Sequence, residues 1–152
     1  ARALRTTPWA AGVRLVRADG TPVRPADVPD GTVLTVFPQG HRSRGDVPAF
    51  AVRLDPARFT VPPPGGTVAG VVVYSLLCTH AGCPVALYLQ GTARVLCPCH
   101  QSTFDLLAGA RPVAGPAARP LPGLPITVDV EGYLVATGDF TAPPGAGFWS
   151  LR

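Results

Sequence analysis

All four cysteines of this 152-residue chain and two of its three histidines fall in two short segments, Cys78-Thr79-His80-Ala81-Gly82-Cys83 and Cys97-Pro98-Cys99-His100. Thiolate and imidazole are the donors that hold zinc and iron–sulfur centres, so their concentration here marks one local chemical purpose. Four chemistries compete for them. A structural zinc site draws its thiolates from Cys-x2-4-Cys knuckles that span one tetrahedral edge, whereas the pairs here are Cys-x4-Cys and Cys-x-Cys-His. Two disulfides without a metal would leave His80 and His100 unexplained. A catalytic cysteine needs one nucleophile that stands apart, and none of the four does. A two-iron, two-sulfur cluster with imidazoles in place of two thiolates uses both segments.

The flanking sequence predicts elements that bring the two segments together. Val71-Val72-Val73-Tyr74 shows no alternation and reads as a strand buried on both faces that runs straight into Cys78. Ala86 to Gln90 and Thr92 to Leu96, parted by Gly91, read as a hairpin that leads into Cys97. Further strands are predicted at Val13 to Arg17, at Thr32 to Phe37 by β-branched and aromatic content, and at Ala49 to Leu54 by alternation of apolar and polar residues. Asp19-Gly20 reads as a hairpin turn, and Ile126 to Val130 with Tyr133 to Thr137 form a second hairpin around Glu131-Gly132. Leu106 to Gly123 has little periodicity, and no stretch reads as an amphipathic helix. Phe148-Trp149 is expected to pack back on the domain.

Composition limits the function classes. The net charge is +4 and all 13 basic residues are arginine, scattered singly from Arg2 to Arg152, without the basic stripe and interleaved aromatics of a nucleic-acid surface. No nucleic-acid partner is expected. With 47% hydrophobic residues, the 19 prolines and 17 glycines indicate an ordered, turn-rich β protein rather than disorder. Val68 to Cys78, the longest apolar run, falls far short of the roughly 20 residues needed to cross a bilayer. The chain as given reads as soluble, and a mature fragment cut after an anchor would have this character. His41 and Arg44-Gly45-Asp46 lie in a polar loop and read as solvated surface, with no adhesion role.

Cys-Thr-His-x-Gly-Cys at 78 to 83 and Cys-Pro-Cys-His-x-Ser at 97 to 102 resemble the Rieske iron–sulfur subunit of cytochrome bc complexes. The likeness runs on through Phe104-Asp105 and through Gly115-Pro116-Ala117-Ala118-Arg119-Pro120, which is similar to the family's proline loop. It covers residues 71 to 137 and says little about 1 to 60. The resemblance implies an all-β fold, in which a small subdomain of two ligand loops (75–120) sits on an antiparallel β base (1–74 and 121–152). It implies a Rieske-type 2Fe-2S cluster held by Cys78 and Cys97 on one iron and by His80 and His100 on the other, with a disulfide between Cys83 and Cys99. Neutral imidazoles remove negative charge from the cluster, so the potential rises to within roughly −150 to +300 mV.

Carried over residue by residue, the same likeness makes His80 and His100 the catalytic contacts, with His100 nearest the quinol. Ser102 matches a serine that donates a hydrogen bond to a cluster sulfide. Phe104 departs from the tyrosine that high-potential members carry, which implies an intermediate potential better matched to menaquinol than to ubiquinol. The implied partners are quinol, a cytochrome b subunit and a c-type cytochrome, on the outer, periplasmic or extracytoplasmic face of a bacterial membrane, reached through an anchor not present in this chain. The small subunit of arsenite oxidase and Rieske-type ferredoxins are the nearest alternatives, although ferredoxins typically lack the bridging cysteine pair. A zinc-stabilised binding module is the alternative of another class.

Overall fold

A computed structural model describes residues 7–42, 45, 47–79, 82–85, 87–89, 91–99, 101–117 and 119–145. His80, His100 and Ala118 of the expected site lie outside the described residues, as do Arg44, Asp46, Phe148 and Trp149. The described chain is all-β, with ten strands in three antiparallel sheets, three short 3-10 turns and no α-helix among the described residues.

The first sheet has the order β1 (Leu15–Val16), β2 (Leu34–Pro38), β3 (Ala49–Arg53), β4 (Val71–Ser75). Its longest pairing is β3 with β4, from Ala49 opposite Ser75 to Arg53 opposite Val71. The turn at Asp19-Gly20 forms as expected, with Arg17 N–H donating to Thr21 C=O. The third sheet has the order β5 (Leu87–Leu89), β6 (Arg94–Leu96), β7 (Thr103–Asp105), β8 (Arg111–Ala114). The hairpin β9 (Ile126–Val128) and β10 (Leu134–Ala136) makes the second sheet. It returns to the first sheet, where Leu134 N–H donates to Val23 C=O and Ala136 N–H to Val13 C=O.

The strand at 49–53 forms, but the expected alternation does not hold: Ala49, Phe50, Ala51 and Val52 are all buried. β3 is central and β4 closes the sheet order, yet both are covered on both faces, and successive side chains of a strand point to opposite faces. Ala49, Ala51, Val71 and Val73 enter a base core with Trp9, Leu15, Val36, Leu124, Leu134 and Phe140. Phe50, Val52, Val72 and Tyr74 enter a second core with Cys78, Val95, Cys97, Phe104 and Leu121. One pair of strands is therefore the shared wall of two cores, and the second core contains the candidate site.

β7 and β8 were not expected. β8 carries Pro112, which lacks the N–H that a ladder requires and is tolerated because β8 lies at an edge of its sheet. The register between β7 and β8 shifts at Thr103/Phe104, so the strand pair is irregular where it borders the candidate site.

Because Phe50 is fully buried on the face shared with the cysteines, Phe50→Ala should lower the unfolding free energy by about 3–5 kcal/mol. Denaturant unfolding measures this directly. A loss below about 1 kcal/mol would mean that this face of β3 carries no packed core.

Candidate metal centre

β4 ends at Ser75, whose hydroxyl accepts from Leu77 N–H at 3.2 Å and turns the chain toward Cys78. The first loop is closed at its base by two backbone bonds, Val85 N–H to Leu76 C=O at 2.6 Å and Cys78 N–H to Cys83 C=O at 2.8 Å. The second loop closes in the same way, with Cys97 N–H donating to Ser102 C=O at 2.8 Å. In each loop the leading cysteine bonds to the carbonyl five residues on, and the residue before that acceptor is left-handed, Gly82 at φ 78° and Gln101 at φ 63°. Glycine takes this conformation freely, whereas a side chain such as that of Gln101 holds it at a cost of about 1–2 kcal/mol. The two segments thus share one local architecture, although their sequences differ in the loop interior.

Cys83 and Cys99 form a disulfide, with Cα atoms 6.4 Å apart, that ties one loop to the other. Pro98 and Cys99 lie at the exposed tip. Cys78 and Cys97, outside that bond, are fully buried in the second core. The sulfurs of Cys83, Cys97 and Cys99 lie within 4.8 Å of one another. As a metal-ligand set this trio fails, because two of its sulfurs are bonded to each other. It records instead that the Cys97 thiol lies against the disulfide.

The segment after β8 latches both loops. Ser102 Oγ accepts from Ala117 N–H at 3.1 Å, and Thr79 Oγ1 donates to Arg119 C=O at 2.7 Å. Arg119 in turn donates from Nη2 to Gly145 C=O at 2.9 Å. Gly115, at φ 81°, lies so close to the second loop that a Cβ there would meet Ser102 Cα at 2.5 Å. Only glycine allows that approach. Of the expected proline-loop residues, Gly115, Ala117 and Arg119 thus make the contacts, while Pro116 and Pro120 are exposed. Thr79 was not expected among the site residues, although its place between Cys78 and His80 was a visible signal. Neither was Tyr74, whose burial pushes the phenol pKa up and keeps it protonated.

Phe104 is fully buried in the same core as Cys78 and Cys97, so its ring occupies apolar space beside the site without offering a donor. His41 is exposed on the loop after β2, as expected of a solvated histidine.

The donor set fits a mixed-ligand cluster. Of the four cysteines, two are committed to the disulfide, so at most two thiolates remain for a metal centre. A four-thiolate cluster or a four-thiolate zinc site is excluded by that count, and a two-iron centre here needs donors other than thiolate to complete it.

Comparison with known proteins agrees. The model of the Rieske [2Fe-2S] domain matches residues 25–125. A protein of Streptomyces lividans, the "Cytochrome bc1 complex Rieske iron-sulfur subunit", is 42% identical over 96% of this chain and 92% of its own length. The relative of the same name in Mycobacterium bovis is 38% identical over 90% of this chain, which spans 39% of that longer protein. The likeness therefore extends into the first 60 residues, beyond the stretch in which the motifs alone were legible. Among solved structures, the soluble domain of Rieske protein II from Sulfolobus acidocaldarius shares the fold, with a TM-score of 0.56 and 24% identity over 80% of this chain and 78% of that one. A ferredoxin of Sphingomonas yanoikuyae does so with a TM-score of 0.52 and 23% identity over 76% of this chain and 93% of that one. The chain belongs to the Rieske [2Fe-2S] domain family and carries that family's two-iron, two-sulfur cluster.

Proposed function

We propose that this domain is the electron-accepting part of a cytochrome bc-type complex, taking electrons from a quinol and passing them to a c-type cytochrome. The observation that carries the reading is the Cys83–Cys99 disulfide between the two loops, which leaves the two buried cysteines as the thiolate ligands. Supporting it, relatives that match over most of the chain bear the name of the bc1 Rieske subunit. That disulfide also favours this reading over a ferredoxin-type carrier and favours an oxidising compartment, the outer face of a membrane.

In this reading Cys78 and Cys97 hold one iron, and His80 and His100 hold the other. The cluster, when bound, supplies a one-electron acceptor whose potential is raised by its neutral imidazole ligands. Each histidine binds through one ring nitrogen and keeps the other for a proton. His100, in the loop whose tip is exposed at Pro98 and Cys99, is the residue that meets the quinol, within a pocket supplied by a cytochrome b subunit. Residues 75–120 act as the cluster-binding subdomain, since β5 to β8 all fall inside that range, and residues 1–74 and 121–152 act as the base.

Ser102 has its Oγ lone pair engaged by Ala117 N–H, which turns the hydroxyl hydrogen away from Ala117 and leaves it to a cluster sulfide. Phe104 provides no such hydrogen, and the potential then suits menaquinol. Ser102→Ala should lower the midpoint potential and Phe104→Tyr should raise it, each by about 40 mV for every 1 kcal/mol of difference between oxidation states. Protein-film voltammetry on the cluster-loaded domain reads both. Shifts of the opposite sign would overturn the assigned roles.

If each electron brings one proton to a ring nitrogen, the potential should fall by about 59 mV per pH unit across an alkaline interval. Voltammetry from neutral to strongly alkaline pH, together with quinol turnover by the assembled complex, is the test of the quinol-oxidising role. A potential flat over the whole range would leave an electron carrier without proton coupling.

A further inference from the structure

The strand that delivers Cys78 also carries the one buried side-chain polar atom that lacks a hydrogen-bond partner among the described residues, Tyr74 Oη. Tyr74 is 1% exposed, and a hydroxyl buried without a partner is destabilising, which is why such groups are rare. The apolar positions of β4 would accept phenylalanine without that cost. The hydroxyl therefore points to a ligand.

Its surroundings limit what that ligand is. Tyr74 lies on the face of β4 opposite Val71 and Val73, in the core it shares with Cys78, Cys97, Val95, Phe104 and Leu121. Phe50, directly across the ladder, covers one side of the ring at a centroid distance of 6.1 Å. The apolar side chains packed with it include both buried cysteines, Cys78 and Cys97. Burial keeps the phenol protonated, so it acts as a donor. Two sulfurs, those of Cys78 and Cys97, share that core with the phenol, and as thiolates holding a cluster they would be acceptors for it.

We propose that Tyr74 Oη donates a hydrogen bond to a cysteine sulfur at the thiolate end of the cluster, supplying from β4 the donor that Phe104 cannot supply from β7. The inference rests on the Rieske reading and adds to it a residue that tunes the potential from the strand side of the site. A hydrogen bond to sulfur strengthens when the cluster takes up an electron, so it favours the reduced form. Tyr74 is a positioning and tuning residue and does not touch quinol.

The test uses the cluster-loaded protein and compares it with Tyr74→Phe, which removes one oxygen and keeps the ring. The expected result is a tenfold lower equilibrium constant for reduction, a fall of about 59 mV in the one-electron potential. One exchangeable deuteron coupling should also disappear from the pulsed electron paramagnetic resonance spectrum of the reduced, deuterium-exchanged sample. Phe104→Tyr in the Tyr74→Phe background should recover the potential. If Tyr74→Phe leaves potential and deuteron couplings unchanged and raises the melting temperature, the hydroxyl is an orphan and the proposal fails. Should Tyr74→Phe not retain its cluster, 3-fluorotyrosine in a Tyr88→Phe, Tyr133→Phe background supplies a stronger donor of nearly the same shape. The potential should then rise, and an unchanged value overturns the proposal. A wild-type protein without any iron–sulfur spectrum would instead overturn the Rieske reading itself, so the two failures are distinct.

Discussion

The disulfide between Cys83 and Cys99 joins two loops that leave the protein from different sheets, one after β4 and one after β6. Loops of this size, built largely of small and polar residues, have little apolar surface with which to hold one another. A covalent tie across a separation of 16 residues restricts the unfolded chain by about 3 kcal/mol in the chain-entropy model. Its chemical consequence is larger than its energetic one. By consuming two of four cysteines it limits the thiolates to two, and donors other than thiolate must then complete the centre. Neutral nitrogen donors are the reason the cluster of this family accepts an electron at high potential.

The loops would still be loosely placed without the wall beneath them. β3 and β4 are buried on both sides, with one face in the base core and the other in the core that holds Cys78, Cys97 and Phe104. The direction of Cys78 is therefore coupled to packing in the base through a stiff pair of strands. On the far side, the segment from Gly115 to Arg119 is bound to the second loop through Ser102 and to the first through Thr79. The ligand loops are thus clamped between a strand wall and a latch, and electron transfer benefits from such a site because little reorganises when the charge changes.

Legibility of the sequence followed the range of the interactions involved. The hairpins at 87–96 and 126–136 depend on neighbours close in the chain, and the unbroken apolar run of β4 marks a strand buried on both faces, so these patterns were readable. β8 was not, because Pro112 argues against a strand unless the edge position of its sheet is known. The alternation read into 49–54 was an error of a different kind, since Ala49-Phe50-Ala51-Val52 is an unbroken apolar run, the pattern of a strand buried on both faces. The cysteines of the site were plain in the two motifs. The latch was not, for Thr79 meets Arg119 across 40 positions and Tyr74 faces the second core only once β3 and β4 are paired.

The central claim is that two thiolates and two imidazoles hold a two-iron cluster in this chain. Pulsed electron paramagnetic resonance on the reduced protein, with histidine labelled by nitrogen-15, tests it most directly. The account predicts two strongly coupled histidine nitrogens, both lost from the spectrum when His80 and His100 are replaced together and neither lost when His41 is replaced. A colourless protein containing zinc, or a cluster with no coupled histidine nitrogen, would contradict it.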